Sequence, residues 1–382
     1  MGQSPDSSSY NADCEGLSFY QGNADFGETH PTPRIWCSEP KKVAEAGDIL
    51  ISVRAPVGAI NVADERCCIG RGLAAVRPSG SDIGDAFLAL ILQSKRAYLD
   101  SMSTGSTFKA IGKKVLSSCE APLYSHEAQS RIACQINGID DCLRSSRKLL
   151  STLDDLVKSQ FVETFGDPKL NTKQWPLVKL GDAASTRLGK MLDAKKQTGL
   201  EARPYLANTD VQWFHFNLKN LKTMDFDSND REEFALKEGD VLATEGGEVG
   251  RCAIWHCELG ECYFQKAVHR IRCDSGVLLP VFLAWTFKMK SDRNLFDSYV
   301  SRSTIAHLTG EKLKKVPIQL PPISLQRQFA DFVAQVDKLG FDSCGDAFSA
   351  CRLLLVKGLA GGVQDGEGPS RRGSVQKDEG GK

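Results

Sequence analysis

The chain contains the same pattern twice, and this internal repeat restricts its fold to two copies of one unit. The segment GDILISVRAPVG, residues 47–58, matches GDVLATEGGEVG, residues 239–250, at its Gly, Asp, Leu, Val and Gly positions. Two more pairs follow in the same order: 106–114 with 303–312, and 120–140 with 319–337. The paired segments are 192 to 199 residues apart. A repeat of this length predicts two similar domains in tandem.

Each copy begins with strand patterns and continues with helix patterns. The runs DILISV and GLAAV in the first copy, and DVLAT and AVHRIRC in the second, are short apolar stretches bounded by turn residues. Residues 85–102 and 280–300 show the apolar spacing of helices. The sequence therefore predicts an α+β fold with two strand-rich domains.

A long helix follows the first strand-rich region. Its apolar residues recur in alternating steps of four and three, which is the heptad pattern of a coiled coil, although Ser146 and Gln160 interrupt the series. Gly166 and Pro168 end the helix. An ordinary amphipathic helix packed on its own domain is the alternative. The seam is formed by Ile132, Ile136, Ile139, Leu143, Leu150, Leu153 and Val157.

The second long helix has a weaker seam. Phe329, Val333 and Val336 begin it, but Gly340 and Gly345 interrupt it. The last residues are rich in Gly and charge, so we expect a disordered tail. The predicted organisation is a first domain at 1–124, a central helix at 125–165, a second domain at 166–322, an interrupted second helix at 323–357 and a tail at 358–382.

The thirteen cysteines do not predict disulfides or metal binding. The chain has no CxxC pair, no apolar run of membrane length and no signal peptide after Met1, so we expect reduced thiols in the cytoplasm. Cys252, Cys257, Cys262 and Cys273 form the densest cysteine set, and we interpret them as small apolar residues and not as a zinc site. We expect the adjacent Cys67 and Cys68 to lie on a strand, one inward and one outward.

Sequence motifs for catalysis are absent. The chain has no GxxxxGK[ST] loop, no GxSxG elbow and no HExxH helix, so an enzyme is disfavoured. The net charge of zero excludes binding of nucleic acid through overall charge. Basic and amide side chains nevertheless cluster at predicted turns, where they could contact phosphates and base edges. The candidate DNA-binding residues are Arg54, Arg71, Ser106, Thr107, Lys109, Arg187, Lys190, Arg251, Gln265, Lys266, Arg302 and Ser303.

Four segments together resemble the DNA-specificity (S) subunits of type I restriction–modification systems. They are residues 2–27, residues 47–78, the run STGSTFKAIGKKVLSSCEAPL, and VPIQLPPISLQRQFADFV, which is similar to a proline-marked element of that family. The resemblance covers about residues 2–340. It implies two target-recognition domains in a pseudo-twofold arrangement, with the two long helices packed as an antiparallel coiled-coil spacer.

The resemblance also implies a function without catalysis. Such subunits bind a bipartite site on double-stranded DNA and position two methyltransferase subunits and, through them, restriction subunits. S-adenosylmethionine, ATP and Mg²⁺ belong to those partners, and the resemblance implies no cofactor on this chain.

Three other hypotheses stay open. An enzyme with its own methylation or cleavage activity is one, and a duplicated protein-interaction scaffold without a DNA role is another. The third is a truncated, non-functional or recombination-donor copy, because the second copy has an opening strand pattern, QWPLVKLGDAASTRL, that the first copy lacks. On that pattern we expect the first domain to be without its opening strand.

Overall fold

The computed structural model describes residues 1–105, 109–193, 197–299, 301–302 and 306–340. Within this range the chain divides into two compact units. Unit 1 contains Met1–Ser145, and unit 2 begins at Ser146. The boundary falls inside the longest helix, and each unit is described by itself below.

Unit 1 consists of two small sheets followed by helices. One sheet has the strand order β1-β3-β2-β7-β4, and the other has the order β6-β5-β8. Strands β2 and β7 are parallel, while β5 pairs antiparallel with both of its neighbours. The elements are β1 (Tyr10–Asn11), β2 (Leu17–Tyr20), β3 (Trp36–Cys37), β4 (Val43–Ala44), β5 (Ile49–Ser52), β6 (Ile60–Val62), β7 (Cys67–Ile69), β8 (Leu73–Val76), α1 (Asp85–Ser94), α2 (Arg96–Ser101), α3 (Lys113–Ser117) and α4 (His126–Phe165), which continues into unit 2.

Unit 2 repeats this plan with additional elements. Its largest sheet has the order β10-β16-β13-β14, and a second sheet has the order β12-β11-β15. The elements are β9 (Leu177–Lys179), α5 (Leu180–Ala183), β10 (Ala184–Leu188), β11 (Ala202–Leu206), β12 (Lys222–Asp225), α6 (Ser228–Phe234), β13 (Val241–Thr244), β14 (Cys252–Ile254), β15 (Tyr263–Phe264), β16 (Val268–Cys273), α7 (Pro280–Ser291), β17 (Ser301–Arg302), β18 (Ala306–His307), α8 (Gly310–Lys314), β19 (Pro317–Gln319) and α9 (323–340).

The internal repeat is present in the backbone hydrogen bonds. The hydroxyl of Ser52 donates to Pro56 O at 2.6 Å after β5, and the hydroxyl of Thr244 donates to Glu248 O at 2.6 Å after β13. Both loops close at a glycine in the left-handed region, Gly58 with φ 81° and Gly250 with φ 80°. A side chain is strained at such a φ, so glycine is favoured in both copies.

The β6-β5-β8 sheet of unit 1 and the β10-β16-β13-β14 sheet of unit 2 differ at one edge. In unit 2, β10 pairs antiparallel with β16 over Ala184–Leu188. In unit 1, β8 occupies the place of β16, and no strand among the described residues of that unit pairs with its other side. Gly2 N donates to Leu73 O in unit 1, and Gly189 N donates to Val268 O in unit 2. Gly2 therefore corresponds to Gly189, the residue after β10, and the two units match again from this point.

A buried carboxylate supports each of these sheets. Asp48 is 3% exposed and accepts from Arg77 Nη2 at 2.6 Å. Asp240 is fully buried and accepts from Nε and Nη2 of Arg272 at 2.7 and 2.8 Å. Because a buried carboxylate needs a partner for its charge, each pair joins the two strand ends that carry it.

A buried glutamine ties each long helix to its own unit. In the first turn of α4, Gln129 accepts from Gly84 N at 2.9 Å and donates to Asp82 O and Tyr124 O. In the first turn of α9, Gln326 accepts from Leu279 N at 2.9 Å. It also donates to Val277 O and Pro321 O. Gly84 and Leu279 are the N-cap residues of α1 and α7, so each amide satisfies a free helix-end N–H group.

The end of α4 and helix α9 run antiparallel in unit 2. The rings of Phe161 and Phe329 are 5.5 Å apart, while a side chain at Gly340 would meet Leu150 Cδ2 at 3.4 Å and Leu153 Cδ1 at 3.5 Å. Phe165 and Phe282 complete an aromatic cluster at the base of the pair. Of the predicted seam residues, Val157, Phe329, Val333 and Val336 are buried in this core, with Leu153 packed against it.

The seam residues of unit 1 are more exposed. Ile132 and Ile139 are half-buried, whereas Ile136 and Leu143 are 39% and 42% exposed. Leu150 in unit 2 is also 43% exposed. The coiled-coil spacer therefore stays a prediction, and the predicted helix residues 341–357 and the predicted tail lie outside the described residues.

Two helices differ from the sequence prediction. The helix predicted over 85–102 is divided at Lys95, where ψ is 1°, so that α1 and α2 are separate. The helix predicted over 280–300 ends at Ser291, because Asn294 has a positive φ of 54° and the chain turns back. This turn places Phe296 in the core, 5.2 Å from the ring of Phe287.

The cysteine pair also differs from the prediction. Both Cys67 and Cys68 are fully buried, although their side chains enter different clusters, with Tyr20 and with Phe19 respectively. The sheet is covered on both faces, so the alternation of the strand leaves neither thiol outward. Burial raises the pKa of both thiols to about 12. The prediction that DILISV forms core is confirmed, since Ile49, Leu50 and Ile51 are at most 1% exposed.

Candidate nucleic-acid interface

Unit 1 has a cleft of about 480 Å³ that contains two of the predicted DNA-binding residues. Arg54 follows β5, and Arg71 lies in the turn between β7 and β8. The loop after β2 supplies Gln21 and Asn23, and Arg34 comes from the chain before β3. Four separate segments of the chain thus bring guanidinium and amide groups to one concave surface. We call this surface the unit 1 cleft.

Arg54 and Arg71 are exposed, and neither has a carboxylate within salt-bridge distance in the part of the chain that the structure describes. Their backbones are nevertheless fixed. Arg54 forms an antiparallel bridge with Ala110, and Arg71 N donates to the hydroxyl of Ser4 at 3.3 Å. A free guanidinium group on a fixed backbone is suited to bind an external acceptor.

Asp25 organises the rim of the unit 1 cleft. Its Oδ2 accepts from Gln21 N at 2.7 Å and from Gly22 N at 3.3 Å, and its Oδ1 accepts from Arg34 Nε at 3.1 Å. The carboxylate is therefore saturated within the protein, and Arg34 is occupied by it. The side chains of Gln21 and Asn23 have no hydrogen-bond partner among the described residues. Neither residue was predicted from the sequence, because nothing in the local sequence connects them to Arg54.

Three of the predicted cations of unit 2, Arg187, Lys190 and Arg251, are bound within the protein. Arg187 forms an ion pair with Glu233 and lies over the ring of Phe234, 5.6 Å from its centroid. Lys190 forms an ion pair with Asp230 and donates to Asp225 O at 2.6 Å. Each of these side chains has a structural role, which reduces its capacity for phosphate or base contacts.

Arg251 is also engaged. Its Nη2 donates to Asn208 O at 3.0 Å, its Nη1 lies 3.5 Å from Glu248 Oε2, and its side chain is only 16% exposed. Asn208 in turn donates to Gly246 O at 3.2 Å. These contacts hold the loop after β13 against the strand end at β11.

Three further predicted DNA-binding residues, Lys109, Gln265 and Lys266, have weaker side-chain contacts within the protein. Lys109 is 58% exposed and lies 4.0 Å from Asp100. Lys266 is exposed and Gln265 is half-buried, in the turn that corresponds to the turn of Arg71. The predicted residues Ser106, Thr107 and Ser303 lie outside the described residues, and Arg302 is described only by its backbone in β17.

Charge also fixes the loop that enters β11. Burial opposes ionisation of Asp225, but hydrogen bonds from the Thr198, Gly199 and Glu201 amides outweigh it and lower the pKa of this carboxyl. The carboxylate therefore stays ionised and holds the loop.

Among the described residues no group of three His, Cys, Asp or Glu side chains is placed to hold a metal ion. None of the described helices combines the length and the apolar character of a membrane span.

Comparison with known families identifies the repeated unit. The model of the type I restriction modification DNA specificity domain matches residues 38–154 and again residues 172–343. The chain belongs to this family. The two matches follow the two units of the structure, so each copy of the repeat contains one specificity domain.

Curated relatives of this specificity-domain protein are type I restriction enzyme specificity subunits. The MjaX specificity subunit of Methanocaldococcus jannaschii is 44% identical over 148 residues, which are 39% of this chain and 35% of the relative. The MjaIX specificity subunit of the same organism is 26% identical over 180 residues, 43% of this chain and 41% of the relative. These alignments thus span less than half the length of the relatives.

A solved structure has the same fold over nearly the whole chain. The S subunit of a type I restriction-modification system from M. genitalium superposes with a TM-score of 0.54 at 15% identity. The match covers 94% of this chain and 92% of that one. The α+β fold with two tandem specificity domains is therefore confirmed.

Proposed function

We propose that this chain is the DNA-recognition subunit of a type I restriction–modification complex. The observation that carries the proposal is the repeat of one specificity domain in two units, each tied to a long helix by a buried glutamine. Two similar readers on one chain suit a bipartite site on double-stranded DNA. In this proposal each unit reads one half of the site.

The helices supply the spacing between the half-sites. The end of α4 and helix α9 run antiparallel, and an antiparallel coiled-coil spacer formed by these helices would fix how far apart the readers lie. Exposed apolar residues on α4, including Ile136, Leu143 and Leu150, offer contacts for subunits that dock there.

The chain itself performs no reaction in this proposal. It positions two methyltransferase subunits on the DNA and, through them, restriction subunits. S-adenosylmethionine, ATP and Mg²⁺ are bound by those partners, and the complex acts in the cytoplasm, where it meets DNA. The absence of nucleotide and methyl-donor motifs from the sequence supports this division of labour.

Co-expression with a type I methyltransferase subunit tests the function. Genomic DNA of the host is then sequenced for modified bases, with each protein expressed alone as the control. We expect a methylated motif of two short sequences separated by a fixed gap, and only when both proteins are present. Modification by the chain alone would establish an enzyme instead, and soluble complex without any modified motif would contradict the proposal.

A further inference from the structure

The arginines of the two units differ in their availability. In the strand-rich part of unit 2, every arginine whose side chain is described contacts a carboxylate or a backbone carbonyl; these are Arg187, Arg203, Arg231, Arg251, Arg270, Arg272 and Arg293. In the unit 1 cleft, Arg34 is bound by Asp25, but Arg54 and Arg71 have no such partner among the described residues. Among the arginine side chains that the structure describes in the strand-rich part of unit 2, none is unpaired as Arg54 and Arg71 are.

The internal repeat shows what stands at the equivalent places in unit 2. Arg54 forms a bridge with Ala110, and Gly246 forms the corresponding bridge with His307. Gly70 N donates to Tyr20 O and Gln265 N donates to Leu206 O, so the next residues, Arg71 and Lys266, correspond. Unit 2 thus has no guanidinium group at either position.

Two kinds of polar group in the unit 1 cleft lack a partner among the described residues. They are the forked guanidinium donors of Arg54 and Arg71 and the carboxamides of Gln21 and Asn23. A guanidinium fork matches O6 and N7 of guanine in the major groove, and a carboxamide matches N6 and N7 of adenine. The one acid of the cleft, Asp25, is saturated by Arg34 and two loop N–H groups and so offers no competing partner to Arg54 or Arg71.

We infer that the unit 1 cleft reads guanine through Arg54 and Arg71. The half-site bound by unit 1 therefore contains guanine, and unit 2 does not read guanine in the same way. Gln21 and Asn23 are the adjacent positions for adenine contacts. The inference rests on the proposed function, because it assigns base specificity to one half of the same DNA site. It gives the two units different contacts with their half-sites.

The test is selection of binding sites from a random double-stranded library by the full chain, assembled with the methyltransferase subunit. Wild type is compared with Arg54→Ala, Arg71→Ala and the control Arg66→Ala. Arg66 lies outside the cleft and is paired with Glu45. We expect each cleft variant to lose its preference for guanine at one or two positions of one half-site, by about 5- to 150-fold, with the other half-site unchanged.

Two further measurements separate guanine contacts from phosphate contacts. Replacing the guanine at the affected position with 7-deazaguanine should weaken wild type and leave the matching alanine variant unaffected. Arg54→Lys keeps the charge but loses the planar fork, so it should lose guanine preference if a base is read and keep its affinity if only a phosphate is contacted. The opposite result is a variant that binds all DNA sequences more weakly by the same factor, with the slope of log affinity against log salt concentration reduced by about one. That result would assign the arginines to phosphate contacts and overturn the inference.

The remaining outcomes are also decisive. A wild-type motif whose guanine preference is unchanged in both cleft variants overturns this inference and leaves the proposed function intact. A wild-type complex that enriches no motif overturns both. Arg54 and Arg71 are exposed side chains without internal partners in the described chain, so their replacement does not threaten folding.

Discussion

Gln129 and Gln326 hold the same position in the two copies of the repeat, and the side chain of each bonds three backbone groups of its own unit. Both are at most 2% exposed, and each satisfies the N-cap N–H of an earlier helix, α1 or α7, and a carbonyl just before the long helix. The contact fixes the start of each long helix against its own unit.

Replacing Gln326 with alanine should destabilise unit 2. The change leaves Leu279 N, Val277 O and Pro321 O buried without partners, at a cost of about 2 kcal/mol or more. Urea unfolding of the full chain measures the midpoint of the unit 2 transition. Gln335→Ala, an exposed change on the same helix, is the control. An equal decrease of the urea midpoint in both variants would show that the buried amide has no special role.

The stability of unit 2 should depend on pH through His269. This ring is fully buried, its Nε2 donates to Leu308 O at 2.8 Å, and its Nδ1 has no hydrogen-bond partner. Burial lowers the pKa of His269 below its ordinary value of 6.5. The unfolded chain therefore binds the proton at a higher pH than the folded chain, and stability falls as the pH drops below about 6.5.

Chemical unfolding between about pH 5 and pH 7.5 checks this dependence. His269→Gln should flatten the curve of unfolding free energy against pH, although it lowers stability at every pH. His215→Gln, a change of an exposed ring, should leave the slope as in wild type. An unchanged slope in His269→Gln would assign the pH dependence to other groups.

Removal of the Asp240 carboxylate should be costly. Asp240→Ala leaves the guanidinium of Arg272 without its bidentate partner and Lys237 N without its acceptor. We expect a loss of about 3 kcal/mol, at the low end for a buried pair because Arg272 is 35% exposed. The half-buried pair of Glu201 and Arg231, whose carboxylate side chain is 45% exposed, provides the comparison, and Glu201→Ala should cost under about 1 kcal/mol. Similar losses would contradict this difference.

Two seam positions should separate folding from assembly. Val157 is 2% exposed in the core of unit 2, so Val157→Asp should lower the free energy of unfolding by more than about 3 kcal/mol. Leu150 is 43% exposed, so Leu150→Asp should change stability by under about 1 kcal/mol yet reduce co-purification of the methyltransferase subunit. Leu170→Asp, on a loop residue that is 69% exposed, is the control. Full assembly by Leu150→Asp would remove this position from the interface.

The sequence by itself predicted the repeat, the buried strand DILISV and the long helix α4. These features depend on local pattern: apolar residues at strand or helix spacing, and glycines where the backbone turns. The break at Lys95 and the early end at Ser291 have no such mark. They depend on side chains from elsewhere, such as Phe296 returning to the core beside Phe287.

Only the tertiary structure decided which arginine side chains are paired within the protein and which are not. In the sequence, Arg54, Arg187 and Arg251 are alike, each a cation beside a predicted turn. Folding brings Glu233 to Arg187 and a backbone carbonyl to Arg251, while Arg54 meets Arg71, Gln21 and Asn23 in one cleft. The carboxylate partner of Arg187 comes from a segment that is remote along the chain, so the pattern around an arginine determines its charge but not whether that charge is free to bind an external group.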